Sequence, residues 1–233
     1  MRALFAFLAA LLFAIPATAQ TPARPAATDW SNTVTISPGG AFVLGNPKAR
    51  RLVEYVSYTC PHCAHFVEEA SGPLKAGWVK RGTIGIEVRN AIRDPYDLTA
   101  AVLARCGGAA RFFGDHEAIF ANQALWMEQV QAYEPTRTAR PEKNASAQLL
   151  AIANATGLSA FMAKRGLPVA RQRMCLADKK TLDLLAAMAD DAWRTKEIGG
   201  TPSFSLDGKL LAEVHDWAGL NAMLTAALPA SAN

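Results

Sequence analysis

Short runs of β-branched and aromatic residues near both ends of the chain enclose a long middle stretch with helical periodicity. The strand-like runs lie at 51–58, 82–90, 202–206 and 209–214, with two shorter pieces between 30 and 44. Residues of this kind favour strands when apolar and polar positions alternate. Asp207-Gly208 joins the last two runs and predicts a hairpin turn.

Apolar residues recur at helical spacing through the middle of the chain and again at its end. The predicted helices cover 59–80, 95–105, 109–126, 146–155, 160–165, 169–175, 179–196 and 216–228. Pro61 falls in the first turn of the first helix, where proline is tolerated, whereas Gly72-Pro73 is expected to kink or divide it. The order of elements predicts a sheet whose two halves are separated in sequence by a helical insertion of about a hundred residues.

The first 19 residues have the pattern of a secretory signal peptide. Arg2 precedes an apolar run, and Ala17-Thr18-Ala19 matches a cleavage site. We expect cleavage after Ala19 and export to the periplasm, because an apolar run of about 13 residues is too short for a membrane anchor, which needs ~20. The expected organisation is a signal peptide at 1–19, a flexible leader at 20–29, the first half of the sheet domain at 30–91, a helical insertion domain at 92–196 and the second half of the sheet domain at 197–233.

Composition and charge describe an ordinary globular chain. Its 233 residues are 51% hydrophobic and 19% charged, which is enough apolar matter for a substantial core and excludes a disordered, collagenous or coiled-coil protein. The net charge is +4, but the basic residues are interleaved with acids. The charge therefore does not indicate a nucleic-acid partner.

The cysteine spacing is the most informative chemical signal. Cys60-Pro61-His62-Cys63 lies where a predicted strand meets a predicted helix. The first turn of a helix presents free N–H groups that stabilise a thiolate at Cys60, and His62 adds to that stabilisation when it is protonated or donates a hydrogen bond. Such a thiolate is a good leaving group, so the Cys60–Cys63 disulfide would be a strong oxidant, with Cys63 as the less exposed resolving thiol.

Other interpretations of the Cys-x-x-Cys pair stay open at this point. A structural zinc site would use four neighbouring side chains, which are Cys60, His62, Cys63 and His65. Ligands on adjacent residues point in different directions, however, and the chain has no second Cys-x-x-Cys. Covalent haem attachment would need His at the position of Ala64. A purely structural disulfide is the third alternative, although so short a loop gains little from chain entropy.

The cysteine motif and its surroundings resemble a known family. The stretch 53–66 (VEYVSYTCPHCAHF), the later Gly200-Thr201-Pro202-Ser203-Phe204 and the helical insertion between them are similar to the DsbA family of periplasmic thiol:disulfide oxidoreductases. The resemblance extends from about Val34 to Leu228. It implies an α/β thioredoxin fold with an inserted all-helical domain, and dithiol–disulfide exchange at Cys60 and Cys63 without a metal or an organic cofactor.

The same resemblance gives expectations for a proline and for the partners. In thioredoxin-like folds the proline at the position of Pro202 is cis and lies against the cysteine pair, and the residue before it, here Thr201, offers backbone hydrogen bonds to an extended substrate. Many DsbA oxidases carry an aliphatic residue there, whereas isomerases and some Gram-positive relatives carry Thr, so the oxidising strength is left open. The implied partners are reduced or unfolded exported proteins and a DsbB-like membrane protein that reoxidises the pair.

Glu54 and the two remaining cysteines complete the candidate site residues. Glu54 lies in phase with apolar neighbours on a strand expected to be central, so we expect a partly buried carboxyl that stays protonated and exchanges protons with Cys63. An exposed Glu without a role is the alternative. Cys106 and Cys175 lie on two predicted helices and are expected to form a structural disulfide in an oxidising compartment. A regulatory redox pair is the alternative for these two.

These observations favour an enzyme that oxidises cysteine pairs of exported proteins. Since only about ten residues precede the first strand of the mature chain, there is no room for the dimerisation module of disulfide isomerases of the DsbC kind, and we expect a monomer. A disulfide isomerase or reductase on the same fold is the alternative within the class. A non-catalytic exported binding scaffold held by two structural disulfides is the alternative outside it.

Overall fold

The computed structural model describes residues 28–228, and within this range it contains one mixed sheet of six strands. The strands are β1 (Val34–Ile36), β2 (Phe42–Leu44), β3 (Arg50–Val56), β4 (Ile84–Asn90), β5 (Ser203–Leu206) and β6 (Lys209–Leu210). Their spatial order is β1-β2-β4-β3-β5-β6, with β3 and β4 parallel and the other neighbouring pairs antiparallel. The expected signal peptide and most of the expected leader lie outside the described residues.

Helices account for most of the remaining described chain. They are α1 (Pro61–Pro73), α2 (Pro95–Cys106), α3 (Ala109–Ala121), α4 (Gln123–Ala139), α5 (Ala145–Ala155), α6 (Leu158–Lys164), α7 (Val169–Leu176), α8 (Lys179–Asp190) and α9 (Trp217–Ala227). A π-helical segment follows α1 at Leu74–Val79, immediately after the predicted break at Gly72-Pro73, and another follows α8 at Asp191–Thr195. Asp94 caps α2 by accepting the N–H groups of Tyr96 and Asp97.

The prediction of one helix over 109–126 was wrong. The helix is interrupted at Asn122, whose side-chain amide donates to the Ala118 carbonyl at 2.9 Å and so satisfies the end of α3. A second helix, α4, then continues past the predicted end to Ala139 and contains Pro135. Proline is tolerated here because this part of α4 is exposed, and the carbonyl that loses its helical partner can bond to water.

The strands beside the site also differ from the prediction at their ends. The run 51–58 leaves the strand after Val56, because the next residues form a turn before α1. The return strand predicted at 209–214 contains only two residues, since the chain turns again after Leu210. The hairpin turn between β5 and β6 agrees with its sequence signal: Asp207 and Gly208 both have positive φ angles, 49° and 84°.

The central strand β3 is buried on both faces of the sheet. Leu52 and Val56 belong to the main core together with side chains from α1, α2, α3 and α9. Val53 and Tyr55 point to the other face, where they pack with Ala192 and other residues of a smaller cluster. Burial on both faces fixes the register of β3 against its neighbours, so the turn that follows Val56 has a defined position at one end of the sheet.

The helices α2 to α8 lie between β4 and β5 in the sequence, and the sheet with α1 and α9 is formed by the chain on either side of them. Phe112 of α3 packs on Phe42 of β2 with ring centroids 4.5 Å apart, so the two parts share one core. The predicted fold class, a thioredoxin fold with an inserted helical part, is confirmed. Within residues 28–228 no single helix has the length and apolar character needed to cross a membrane, although α5 and α6, which meet at a 73° bend, reach that threshold when taken together.

Candidate active site

Cys60 lies at the N-terminal end of α1, directly after the central strand. The turn at 57–60 is closed by the N–H of Cys60, which donates to the Ser57 carbonyl at 3.1 Å. Cys60 has the extended backbone typical of an N-cap residue (φ −90°, ψ 119°), and Pro61 occupies the first helical position. The free N–H groups of the first turn are therefore next to the Cys60 side chain.

The thiol of Cys60 is strongly acidic. Its pKa is lowered from 9.0 to about 5, and the largest cause is a hydrogen bond from the side chain of Cys63. The Thr201 side chain and the N–H groups of Cys63 and His62 lower it further, whereas burial acts in the opposite direction. The N–H groups at the start of α1 thus lower the pKa of Cys60, as the sequence predicted, but the side chain of Cys63 lowers it more.

Two residues of the motif differ from the first cysteine in their surroundings. Cys63 is fully buried one turn into α1, and burial together with the neighbouring Cys60 raises its pKa well above the usual value. His62 is exposed, and its main contribution to the acidity of Cys60 comes from its backbone N–H rather than from its ring, which the sequence had suggested. The pair is therefore asymmetric: Cys60 is the thiolate and Cys63 keeps its proton.

The loop that contains Thr201 and Pro202 lies against Cys60. The Thr201–Pro202 peptide bond is cis, and the thiol of Cys60 donates to the Thr201 carbonyl at 3.1 Å. The hydroxyl of Thr201 is buried and has no hydrogen-bond partner among the described residues. It is available to the sulfur once Cys60 has lost its proton, which agrees with its effect on the pKa. His215 bonds to the carbonyl of Pro202 at 3.2 Å and so supports the loop.

Two open grooves flank α1 next to Cys60. The larger groove, about 870 Å³, lies on the side of the Thr201–Pro202 loop and is lined by His62, His65, His215 and the segment 199–203, among others. The second, about 520 Å³, lies between α1 and the helices α3 and α4 and has a more apolar wall that includes Val67 and Phe120. A polypeptide joined to Cys60 would therefore have room on both sides of the helix.

The sequence did not predict a polar network that binds the turn at 57–60. Asp97 accepts the Tyr58 N–H at 2.7 Å and the Arg93 N–H at 3.1 Å, and burial raises the pKa of its carboxyl to about 7. Asp94 accepts the Thr59 hydroxyl at 2.7 Å. The Asp94-Pro95 pair is a recognisable helix start, but nothing in the sequence indicates that its helix holds the turn at 57–60.

The inserted helices also bind the turn through Gln123 and His116. The side-chain amide of Gln123 donates to the carbonyls of Tyr58 and Cys60 at 2.7 and 2.8 Å. The Tyr58 hydroxyl is 2.8 Å from the Nδ1 atom of His116, whose burial lowers its pKa to about 3. Tyr58 is therefore held at its N–H by Asp97 of α2, at its hydroxyl by α3 and at its carbonyl by α4.

Glu54 lies on β3 beneath α1. Burial, helped by the nearby Glu117, raises the pKa of its carboxyl to about 8, and its Oε1 atom has no partner among the described residues. It lines a small cavity of about 20 Å³ together with Lys75, which forms an ion pair with Glu117. The cavity is large enough for about one water molecule. The groups that chiefly set the acidity of Cys63 do not include Glu54, so the expected proton exchange between the two stays a prediction.

Cys106 and Cys175 form a disulfide that links the end of α2 to α7, with their Cα atoms 5.8 Å apart. Within the described residues, Cys60 and Cys63 are the free cysteines. In the same part of the chain no group of three or more His, Cys, Asp or Glu side chains is arranged to hold a metal ion. A thioredoxin fold with an acidic Cys-x-x-Cys thiol at a helix start defines the class of dithiol–disulfide oxidoreductases.

Comparison with known proteins agrees with this class. The family model described as Thioredoxin matches residues 37–226. The crystal structure of a protein-disulfide isomerase from Novosphingobium aromaticivorans is 42% identical and has a TM-score of 0.76, and the match covers 81% of this chain and 97% of that one. A crystal structure of Wolbachia pipientis alpha-DsbA1, at 20% identity, has the same fold with a TM-score of 0.63 over 83% of this chain and 92% of that one.

Curated relatives carry similar names. A protein-disulfide oxidoreductase of Rickettsia felis is 32% identical over 169 residues, which are 72% of this chain and 53% of that protein. The chain thus spans about half the length of the curated relatives it matches. The chain belongs to the thioredoxin family, and its relatives are named as protein-disulfide oxidoreductases and as a protein-disulfide isomerase.

Proposed function

We propose that the protein oxidises cysteine pairs of exported proteins through the Cys60–Cys63 disulfide. The observation that carries this proposal is the unequal acidity of the two thiols, because Cys60 has a pKa of about 5 while burial raises that of Cys63. Stabilising the thiolate stabilises the reduced enzyme, so its disulfide accepts electrons readily from other dithiols.

The reaction consists of two exchanges at Cys60. In the oxidised enzyme, a substrate thiolate attacks the Sγ atom of Cys60, forms a mixed disulfide and displaces Cys63, which takes up a proton. A second substrate thiolate then attacks the substrate sulfur of the mixed disulfide and displaces Cys60 as a thiolate. The substrate loses two electrons as its disulfide forms, and the enzyme gains them as one thiolate and one thiol.

The loop before β5 is suited to hold the substrate chain during this exchange. The backbone of Thr201 lies within hydrogen-bond distance of Cys60, beside the groove lined by His62 and the segment 199–203. We infer that an extended substrate segment pairs with this backbone, and that the Thr201 hydroxyl stabilises the leaving thiolate.

Isomerisation of disulfides is the second candidate function. It is favoured by the relative from Novosphingobium aromaticivorans, which is described as a protein-disulfide isomerase, and by Thr at position 201. Oxidation requires a partner that takes electrons from the reduced pair, and we propose a DsbB-like membrane protein for this step. Export to the periplasm after cleavage behind Ala19, and a monomeric state, belong to the same proposal.

An equilibrium with glutathione tests the direction of the reaction. Below the pKa of glutathione and above that of Cys60, reducing the enzyme releases one proton, so the equilibrium constant should rise about tenfold per pH unit between pH 5 and 8. We expect an oxidising potential at pH 7. A potential near that of thioredoxin, about −270 mV, would contradict the oxidase proposal, and a constant independent of pH would contradict the acidic Cys60.

Alkylation of the reduced protein at pH 6 provides the control for this assignment. One cysteine should react quickly in the parent protein, and none should do so in the Cys60→Ala variant. In the Cys63→Ala variant the single free thiol should react with a higher apparent pKa, because the largest cause of its acidity has been removed.

A further inference from the structure

Gln123 forms hydrogen bonds with the backbone of the cysteine turn, at Cys60 itself and at Tyr58 two residues before it. It is the first residue of α4 and 7% exposed, and its Nε2 atom donates to the carbonyl of Tyr58 at 2.7 Å and to that of Cys60 at 2.8 Å. These two carbonyls are 65 and 63 positions away from Gln123 in the sequence.

The peptide unit between Cys60 and Pro61 depends on this contact. Proline has no N–H, so the unit can be oriented by hydrogen bonding only through its carbonyl oxygen. That oxygen receives the Ala64 N–H at 3.3 Å, a long helical bond, and the Gln123 amide at 2.8 Å. The shorter of the two bonds therefore comes from the inserted helices rather than from α1 itself.

The orientation of this peptide unit matters for the acidity of Cys60. The thiolate is stabilised by the Cys63 thiol and by N–H groups of the first helical turn, and such bonds weaken steeply when donors and acceptor are misaligned. Asp97 holds the turn at the N–H of Tyr58, whereas Gln123 holds it at the two carbonyls. Loss of the Gln123 amide would leave the Cys60 carbonyl with only the long bond from Ala64, so the backbone that positions the Cys60 side chain would be less firmly held.

We propose that Gln123 is a positioning residue: by holding the carbonyls of Tyr58 and Cys60 it orients Cys60 toward the donors of the first helical turn, and so sets the redox equilibrium of the Cys60–Cys63 pair. This inference rests on the proposed function of that pair. According to this proposal, the inserted helices influence the exchange reaction. The amide that orients Cys60 belongs to α4, whereas Cys60 lies between β3 and α1.

Gln172 offers a matched control within the same helical insertion. It is fully buried, and its Nε2 atom likewise donates to two carbonyls, those of Ser159 at 2.9 Å and Leu167 at 2.8 Å. Its partners belong to the insertion and not to the cysteine turn. Gln172→Met therefore removes the same two kinds of bond and costs stability, but it leaves the surroundings of Cys60 intact.

The test compares Gln123→Met with Gln172→Met and the parent protein. In Gln123→Met, the pKa of Cys60, measured by thiolate absorbance or by the pH dependence of alkylation, should rise by about half a unit to one unit. The equilibrium constant for reduction by glutathione at pH 7 should fall about threefold to tenfold in that variant. Gln172→Met should lower the melting temperature and leave both readouts at the parent values.

Gln123→Asn covers the case in which Gln123→Met does not fold. The shorter amide reaches at most one of the two carbonyls, so a smaller rise of the pKa is expected. The inference is overturned if the folded Gln123 variants lose stability as Gln172→Met does but keep the parent pKa and equilibrium constant. A parent protein whose Cys60 has an ordinary pKa would instead contradict the proposed function.

Discussion

At the scale of single residues, the proposed activity depends on two cysteines of one motif having opposite environments. The sulfur of Cys60 lies next to hydrogen-bond donors, which lower its pKa, whereas Cys63 is buried in the core, which raises its pKa. The sequence predicted this division of roles from the position of the motif at a helix start. It could not predict that the thiol of Cys63 outweighs the helix N-terminus and the His62 ring, because that depends on the distance between two side chains.

Glu54 leads to a prediction about stability. Its carboxyl is neutral in the folded protein up to a pKa of about 8 but ionises near 4.5 in the unfolded chain, so its contribution to stability is lost as the pH rises between these values. Glu54→Gln removes this titration. The variant should gain about 1 kcal/mol of unfolding free energy over the parent for each pH unit between 5 and 8, as measured by urea unfolding.

Glu87 on the neighbouring strand is the control for this experiment. It is equally buried, but Arg89 donates to its carboxylate at 2.7 Å, so Glu87→Gln should lower the unfolding free energy. If Glu54→Gln is destabilising at pH 8, the buried neutral carboxyl is refuted. The same variant should slow thiol–disulfide exchange, and an unchanged rate would remove Glu54 from the proposed proton exchange with Cys63.

At the scale of elements, the positions at which helices and strands end determine which residues lie next to Cys60. Strand β3 stops at Val56 and α1 starts at Pro61, and the turn between them carries Cys60. Hydrophobic periodicity predicted both elements but not their ends. The break at Asn122 was missed because the apolar pattern continues across it, yet this break places Gln123 at the start of α4.

The disulfide between α2 and α7 gives a prediction at this scale. Cys106 and Cys175 are 69 positions apart, and opening a loop of this length should lower the unfolding free energy by about 4 kcal/mol in the chain-entropy model. The double variant Cys106→Ala, Cys175→Ala should therefore melt at a lower temperature. Its Cys60 should keep the parent pKa and glutathione equilibrium if the disulfide is structural. A shifted equilibrium would identify a regulatory pair instead.

At the scale of the whole molecule, the inserted helices and the sheet form one unit around the site. Tyr58 is one of the points of contact, and side chains from α2, α3 and α4 bind three of its polar groups. Its ring stacks on Phe120 with centroids 4.7 Å apart. The interface between the two parts is therefore both an apolar core and a hydrogen-bonded frame for the cysteine turn.

His116 in this interface predicts how the molecule responds to acid. Its pKa is lowered to about 3 in the folded protein, while the unfolded chain takes up the proton near pH 6.5, so the unfolding free energy should fall as the pH drops between these values. In His116→Phe this contribution disappears. As the pH falls from 6 to 4, the unfolding free energy of the variant should decrease less steeply than that of the parent, by about 1.4 kcal/mol per pH unit. Thermal or urea unfolding measures this difference.

The pH slope, not the absolute stability, is the readout for His116. His116→Phe leaves the Tyr58 hydroxyl without its partner and costs about 1–3 kcal/mol at every pH. Equal slopes in the parent protein and in His116→Phe would show that His116 is not the source of the acid response.

The sequence by itself determined the local features: the strands and most helices, the hairpin at Asp207-Gly208, and a cysteine pair at the start of a helix. These follow from side-chain periodicity and from turn and cap preferences, which act over a few residues. Only the tertiary structure decided which distant groups surround Cys60. The carbonyl of Thr201 is 141 positions from Cys60 and the amide of Gln123 is 63 positions away. Pairing of β5 with β3 brings the first to Cys60, and packing of the inserted helices against the sheet brings the second.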